Sequence, residues 1–177
     1  MNKTLIVIDM QNDFVTGALG SAEAVAILPN VKKKIDEYIA SGNDVIFTCD
    51  THDDKYLETS EGRHLPVPHC IEGTHGWEIV DGLYRPGDMV ITKPSFAWVD
   101  WWTLKGTHGF KNCDEIEIIG VCTDICVISN ALFLKAYFPE IEITVDASCC
   151  AGVTPESHAA ALLTMKSCQI NIVGGCL

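Results

Sequence analysis

Cys126 lies in the run Gly120-Val121-Cys122-Thr123-Asp124-Ile125-Cys126-Val127, where an apolar strand pattern passes through glycine into a helical one, with Thr123 or Asp124 available as its cap. A thiol in the first turn of such a helix feels the positive end of the helix dipole and unpaired backbone N–H groups, which lowers its pKa. The same N–H groups suit an oxyanion. The plainer reading of Cys126 is one more small buried residue. A nucleophilic thiolate needs a partner that takes its proton and later hands it to a leaving group. Asp9, which ends the apolar run Leu5-Ile6-Val7-Ile8, is a carboxylate so placed, although an Asp there also caps turns. Lys93, between Val90-Ile91-Thr92 and Pro94, adds a cation that would stabilise carboxylate and thiolate alike; taken alone it reads as solvated surface.

Asp50 and His52 stand at i and i+2 after a second apolar run, so in extended chain both side chains point to one side. His69, in Pro66-Val67-Pro68-His69-Cys70, could close a mixed oxygen and nitrogen site. One Asp and two His suit a divalent metal: zinc first, with manganese or ferrous iron as alternatives. Three protein ligands leave positions for water or substrate, but two histidines and an aspartate in a polar loop are also a common coincidence.

Positioning these residues requires strand ends. Residues 4–9, 44–48, 89–92, 116–120, 141–145 and 170–173 are short, apolar and β-branched, and read as six strands. Helical spacing over 22–41, 98–104, 124–136 and 155–166 alternates with them, the last with Pro155 in its first turn. The expected fold class is α/β, three-layer α/β/α with a six-stranded parallel sheet of Rossmann-like kind, in a single domain over 1–177. In such sheets ligands bind at the carboxyl ends of the strands. That rule puts Asp9, Asp50, Lys93, 122–126 and 146–150 on one rim. The longest irregular segment, 51–88, is rich in Gly, Pro, His and charge, and loops of that length are usually functional.

With 177 residues, 47% hydrophobic, the chain can bury a substantial core. Its 24 acidic against 12 basic residues, a formal charge of -12, offer no footprint for nucleic acid. The one basic run, 32–34, reads as the solvated face of the helix over 22–41. Asp9 interrupts the opening apolar run before signal-peptide length, and no stretch approaches the ~18 apolar residues of a membrane helix. A cytoplasmic protein with no membrane partner is expected, its nine cysteines reduced.

With these residues assembled, the sequence resembles the isochorismatase-like cysteine hydrolase superfamily, and within it the nicotinamidase branch. The resemblance is carried in order by Ile8-Asp9-Met10-Gln11-Asn12-Asp13-Phe14, Asp50-Thr51-His52, Pro68-His69-Cys70-Ile71-Glu72-Gly73-Thr74, Lys93 and the run from Gly120 to Val127. It implies an isochorismatase-like hydrolase fold and a Cys126, Asp9 and Lys93 triad. Cys126 would attack an amide carbonyl, Asp9 would shuttle its proton to departing ammonia, and water would hydrolyse the thioester. The family also carries a cis peptide at the match of Val121-Cys122, which turns the Cys122 N–H beside that of Cys126 as an oxyanion hole. Its metal, held at the matches of Asp50, His52 and His69, orients a pyridine nitrogen. Isochorismatases and carbamoylsarcosine-type amidases characteristically lack that metal set.

The resemblance thus implies hydrolysis of nicotinamide or a related small primary amide, and a place in NAD salvage. Some nicotinamidases use a further metal histidine, for which this chain offers Asp54, Glu58 or His64 without a clear match. The aromatic often found three residues before the last metal histidine is Pro66. Phe14 matches a family pocket position; Trp77, Phe96 or Trp98 could supply the missing ring contact, or serve as core or interface instead. Trp98, Trp101 and Trp102, at i, i+3 and i+4, suggest an aromatic face, and with the family's habit a homo-oligomer. Cys149 and Cys150 fall near the same rim. Three alternatives stand beside the amidase: a hydrolase of another small C–N substrate, a metal-activated water as nucleophile, and an inactive fold serving as a metal or thiol sensor.

Overall fold

The computed structural model describes residues 2–107, 110 and 113–175. Six strands form one parallel sheet: β1 (Lys3–Ile8), β2 (Asp44–Asp50), β3 (Met89–Lys93), β4 (Glu115–Val121), β5 (Glu142–Ala151) and β6 (Asn171–Val173). Their order is β3-β2-β1-β4-β5-β6. The chain therefore winds outward from β1 in one direction and, from β4, in the other. Because β-crossover-β connections are right-handed, the two directions put their helices on opposite faces. The reversal falls between β1 and β4, where the strand ends open a crevice. Leu5, Ile6, Ile8, Ile116, Ile118 and Ile143, all fully buried, form the centre of the core.

The helices are α1 (Asn12–Val15), α2 (Ala22–Ala40), α3 (Ser60–His64), α4 (Ile128–Tyr137) and α5 (Pro155–Ser167). The Ser21 hydroxyl accepts from the Ala24 N–H and starts α2, which buries Ala24, Ile27, Val31, Ile35 and Tyr38 and packs on β5 and β2. Thr154 and Ser157 form a reciprocal cap at α5, with Pro155 at its first position. Among the described residues no helix is long and apolar enough to cross a membrane.

Four sequence expectations change. The helix expected over 98–104 is a single 3₁₀ turn, Trp101–Leu104. Trp101 is fully buried there, edge-on to Trp98 at 4.9 Å, while Trp102 is exposed, so the expected aromatic face does not form. The helix expected from 124 begins as a wider π-type turn, Thr123–Val127, because the N–H groups of Ile125 and Val127 both donate to the Cys122 carbonyl. The irregular segment 51–88 contains a 3₁₀ turn, Tyr56–Glu58, and α3. Finally, β5 does not end at Val145: its register moves from Ile118 opposite Val145 to Gly120 opposite Cys150, so extra residues bulge between. The bulge keeps Asp146 away from the rim, where its carboxylate meets Lys34 at 2.9 Å and the Ser148 hydroxyl at 2.6 Å; Ala151, Gly152 and Val153 reach the crevice instead.

Candidate active site

Asp9 leaves β1 in a left-handed conformation (φ 49°) and is fully buried. Its Oδ1 accepts from the Thr48 hydroxyl at 2.6 Å, and its Oδ2 meets the Lys93 ammonium at 2.6 Å. Lys93, the last residue of β3 and also fully buried, lies 3.6 Å from Cys126 Sγ and 3.5 Å from Asp50 Oδ1. The sheet thus brings Asp9, Lys93 and Cys126 together from three separate strand ends. Close approach of β1 and β4 requires Gly120, whose φ is 119° and where a Cβ would stand 2.1 Å from the Ile8 carbonyl oxygen. The Val121-Cys122 peptide is cis, as the resemblance implies. Cys122 and Cys126 both line the pocket.

Electrostatics revise one expectation. Burial pushes the Cys126 thiol well up, Asp9 adds to this, and Lys93 only partly opposes it, so the dipole-lowered pKa read from the sequence is not what this environment produces. Cys126 is almost wholly enclosed, and loss of water disfavours the charged thiolate. Burial likewise raises Asp9, against Lys93, while Lys93 is held charged by Asp9, Cys126 and Asp50 despite its own burial. The arrangement is a protonated thiol held close to a carboxylate by a shared ammonium, which lies 2.6 Å from Asp9 Oδ2 and 3.6 Å from Cys126 Sγ.

Beside this trio, Asp50, His52, His69 and a fourth residue, Glu61, each present one ligand atom within 4.8 Å of the others. Asp50 Oδ2 is 3.1 Å from His52 Nε2 and 3.6 Å from His69 Nε2; Glu61 Oε1 is 3.8 and 3.7 Å from the same nitrogens. A tetrahedral ion with bonds of about 2.1 Å needs ligands ~3.4 Å apart, so the set fits zinc or a similar divalent metal. His69 Nδ1 donates to the Val67 carbonyl at 2.8 Å, leaving Nε2 its lone pair. Burial pushes the Asp50 carboxyl up, but hydrogen bonds from both histidines and the Lys93 charge outweigh it and hold the group ionised.

Glu61 replaces the three candidates read from the sequence for a further ligand. Asp54 and Glu58 are exposed, and His64 Nδ1 donates to the Ser60 carbonyl. Glu61 arrives because the Thr59 hydroxyl caps α3 by accepting from the Gly62 N–H, and Gly62 lets the helix close on Tyr56. That cap was the available sequence signal. Two more residues carry no such signal. Gln11 donates to the Asp50 and Trp77 carbonyls and accepts from the Asp50 N–H, fixing the end of β2. Asn130 accepts from the Trp98 N–H and Trp101 Nε1 and donates to the Phe96 and Cys126 carbonyls, which ties the loop after β3 to the cysteine turn.

Of the aromatic candidates, Phe14 and Phe96 line the pocket, Phe14 edge-on to His69 at 5.4 Å. Trp77 and Trp98 lie outside its wall: Trp77 Nε1 is spent on the Thr51 hydroxyl, and Trp98 packs on Trp101. Pro66 is exposed. Burial holds the Cys122 thiol up at about 12 and that of Cys149 at about 11, and raises Cys150 further, which makes each a poor nucleophile. The pocket encloses about 880 Å³.

The isochorismatase domain model matches residues 3–174. A "probable inactive nicotinamidase" of Arabidopsis thaliana is 31% identical, covering 94% of this chain and 89% of its own. The nicotinamidase/pyrazinamidase PncA of Bacillus subtilis superposes with a TM-score of 0.84 at 28% identity, covering 98% of this chain and all of the other. The pyrazinamidase of Pyrococcus horikoshii, solved in complex with zinc, does so with a TM-score of 0.83 at 28% identity, covering 99% and 100%. The chain belongs to the isochorismatase family and, beside such relatives, is a hydrolase of C–N amide bonds.

Proposed function

We propose that the protein hydrolyses nicotinamide, or a closely related small neutral primary amide, to the acid and ammonia through a thioester on Cys126. The observation that carries this reading is the convergence of Asp9 and Lys93, both fully buried, on Cys126, which lines a pocket of about 880 Å³. Asp9, joined to Cys126 through Lys93, takes the thiol proton as sulfur attacks the amide carbon. The N–H groups of Cys122 and Cys126 receive the developing oxyanion. Asp9 then returns the proton to the amide nitrogen and ammonia leaves. In the second half, Asp9 deprotonates a water that attacks the thioester, and the sulfur takes back its proton as the acid departs. Lys93 keeps Asp9 anionic between transfers.

Asp50, His52, Glu61 and His69 would hold the metal. When bound it supplies a Lewis-acidic anchor for a substrate heteroatom beside the reacting carbonyl. Charge favours a neutral substrate. Among the described residues no lysine or arginine lines the pocket, whereas Asp50 and Glu61 do. A substrate carboxylate would find no basic side chain on this wall to pair with.

The test is ammonia release from nicotinamide by the metal-loaded protein and by its Cys126→Ala variant. Turnover lost in the variant is expected. Full turnover in the variant overturns the covalent route, and none in either protein overturns the substrate. Because one relative's name includes "inactive", this is the measurement to make first.

A further inference from the structure

We infer that the physiological substrate carries an apolar arm extending well beyond a single amide-bearing ring, and that this arm lies against the apolar part of the pocket wall. The inference rests on the amidase reading above and deepens it.

The pocket is divided by chemistry. Asp50, Glu61, His69, Cys122 and Cys126 gather at one end, and the rest of the wall is mainly apolar. It includes Leu19, Ala24 and Ile125 and also Leu65, Phe96 and Val153. Those last three are exposed by 37%, 46% and 57%, although each is a large apolar side chain. Single exposed apolar residues are ordinary, but three that line the same cavity as the reacting sulfur offer solvent-facing apolar surface to its occupant. A single substituted pyridine fills only on the order of a fifth of such a cavity, whereas pockets of roughly 300–1,000 Å³ enclose drug-sized ligands. Several of the polar groups on this wall are already engaged: the Ser21 hydroxyl caps α2, the Ser95 hydroxyl donates to the Ala97 carbonyl, and His64 Nδ1 donates to the Ser60 carbonyl. The distal wall therefore offers mainly surface to bury, and an apolar occupant gains most from it. Each methylene taken fully out of water multiplies affinity about fourfold.

The test uses nicotinamide beside pyridine-3-carboxamides that carry a butyl or a phenyl group on the ring. Calorimetric titration of the metal-loaded Cys126→Ala variant gives each dissociation constant without turnover. The wild-type protein gives kcat/KM from ammonia release. At least one substituted amide is expected to bind about tenfold more tightly than nicotinamide and to gain a similar factor in kcat/KM through KM. Equal or weaker binding of every substituted amide overturns the inference and leaves the nicotinamide assignment intact. Tighter binding without turnover of any amide supports the apolar arm and instead overturns the amidase reading.

Discussion

Asn130 is the residue whose removal tests most directly how this scaffold holds the proposed nucleophile, Cys126. Fully buried, it contacts both partners of a junction: its Oδ1 serves the Trp98 N–H and Trp101 Nε1 at 3.0 Å each, and its Nδ2 serves the Phe96 and Cys126 carbonyls at 3.0 and 2.8 Å. Asn130→Ala strands two donors and two acceptors. The Trp101 indole N–H lies in the core, so its orphaning carries a desolvation penalty of ~1–3 kcal/mol. The junction with Trp98 and Phe96 is only partly buried, and a water admitted to the vacated space would recover some of that loss. A total of about 3 kcal/mol follows, which for a domain of this size lowers Tm by roughly 6–12 °C. Displacement of the cysteine turn by even 1 Å costs ~100-fold in turnover. Calorimetry and ammonia release measure the two effects. Asn130→Asp keeps the acceptor but turns an anion toward two carbonyls, and should be no better than the alanine variant. An Asn130→Ala protein with Tm within 2 °C of wild type, and undiminished turnover, would refute the reasoning.

The other expectations are more local. Glu61→Ala should weaken metal retention at least tenfold, read as metal content after dialysis, with Tm of the metal-free protein little changed. Gly120→Ala should destabilise by at least ~3 kcal/mol, because a Cβ at φ 119° would collide with the Ile8 backbone; chemical denaturation measures it, and a change below 1 kcal/mol would contradict the close β1–β4 approach. Burial raises the Asp146 carboxyl, but Ser148 and Lys34 outweigh it and leave the folded pKa below the unfolded value. Its contribution is therefore present above the unfolded pKa of about 4 and lost as pH falls through the folded one. Asp146→Asn should lower Tm at pH 7 and flatten its fall between pH 5 and 2; parallel profiles for the two proteins would show that the pairing with Lys34 contributes nothing.

What could be read before any coordinates has a common physical origin. Fully buried strands are continuous apolar runs, and parallel sheets present their carboxyl ends as one rim, so a polar residue ending such a run is visible in the sequence and placed by topology at once. Asp9, Asp50 and Lys93 are of this kind, Cys126 lies in the turn that follows β4, and the sheet brings all four within a few ångströms. The misread elements are those where local pattern competes with a tertiary constraint. Trp98, Trp101 and Trp102 have helical spacing, yet Trp101 is drawn into the core by Asn130 and the chain makes one 3₁₀ turn instead. The strand ending at Val145 by its apolar pattern resumes after a bulge, because Asp146 is satisfied by a lysine from α2, distant in sequence.

The same reasoning explains why the supporting residues were invisible while the reactive ones were not. Cys126 and Asp9 announce themselves by being chemically out of place in apolar surroundings. Gln11, Asn130 and Glu61 act by spanning between segments far apart in the chain: Gln11 reaches Asp50 and Trp77, Asn130 reaches Phe96 and Trp98, and Glu61 reaches His52 and His69. Their roles reside in pairs of positions that only folding makes adjacent. The Cys126 thiol shows the limit from the other side. Its place at a helix start was legible, but its pKa direction was set by how completely the fold excludes water, and burial is a property of the assembled pocket that no local spacing encodes. On the proposed mechanism the nucleophile is accordingly a neutral thiol activated by a neighbouring carboxylate, and the residues that keep that carboxylate within reach matter as much as the sulfur itself.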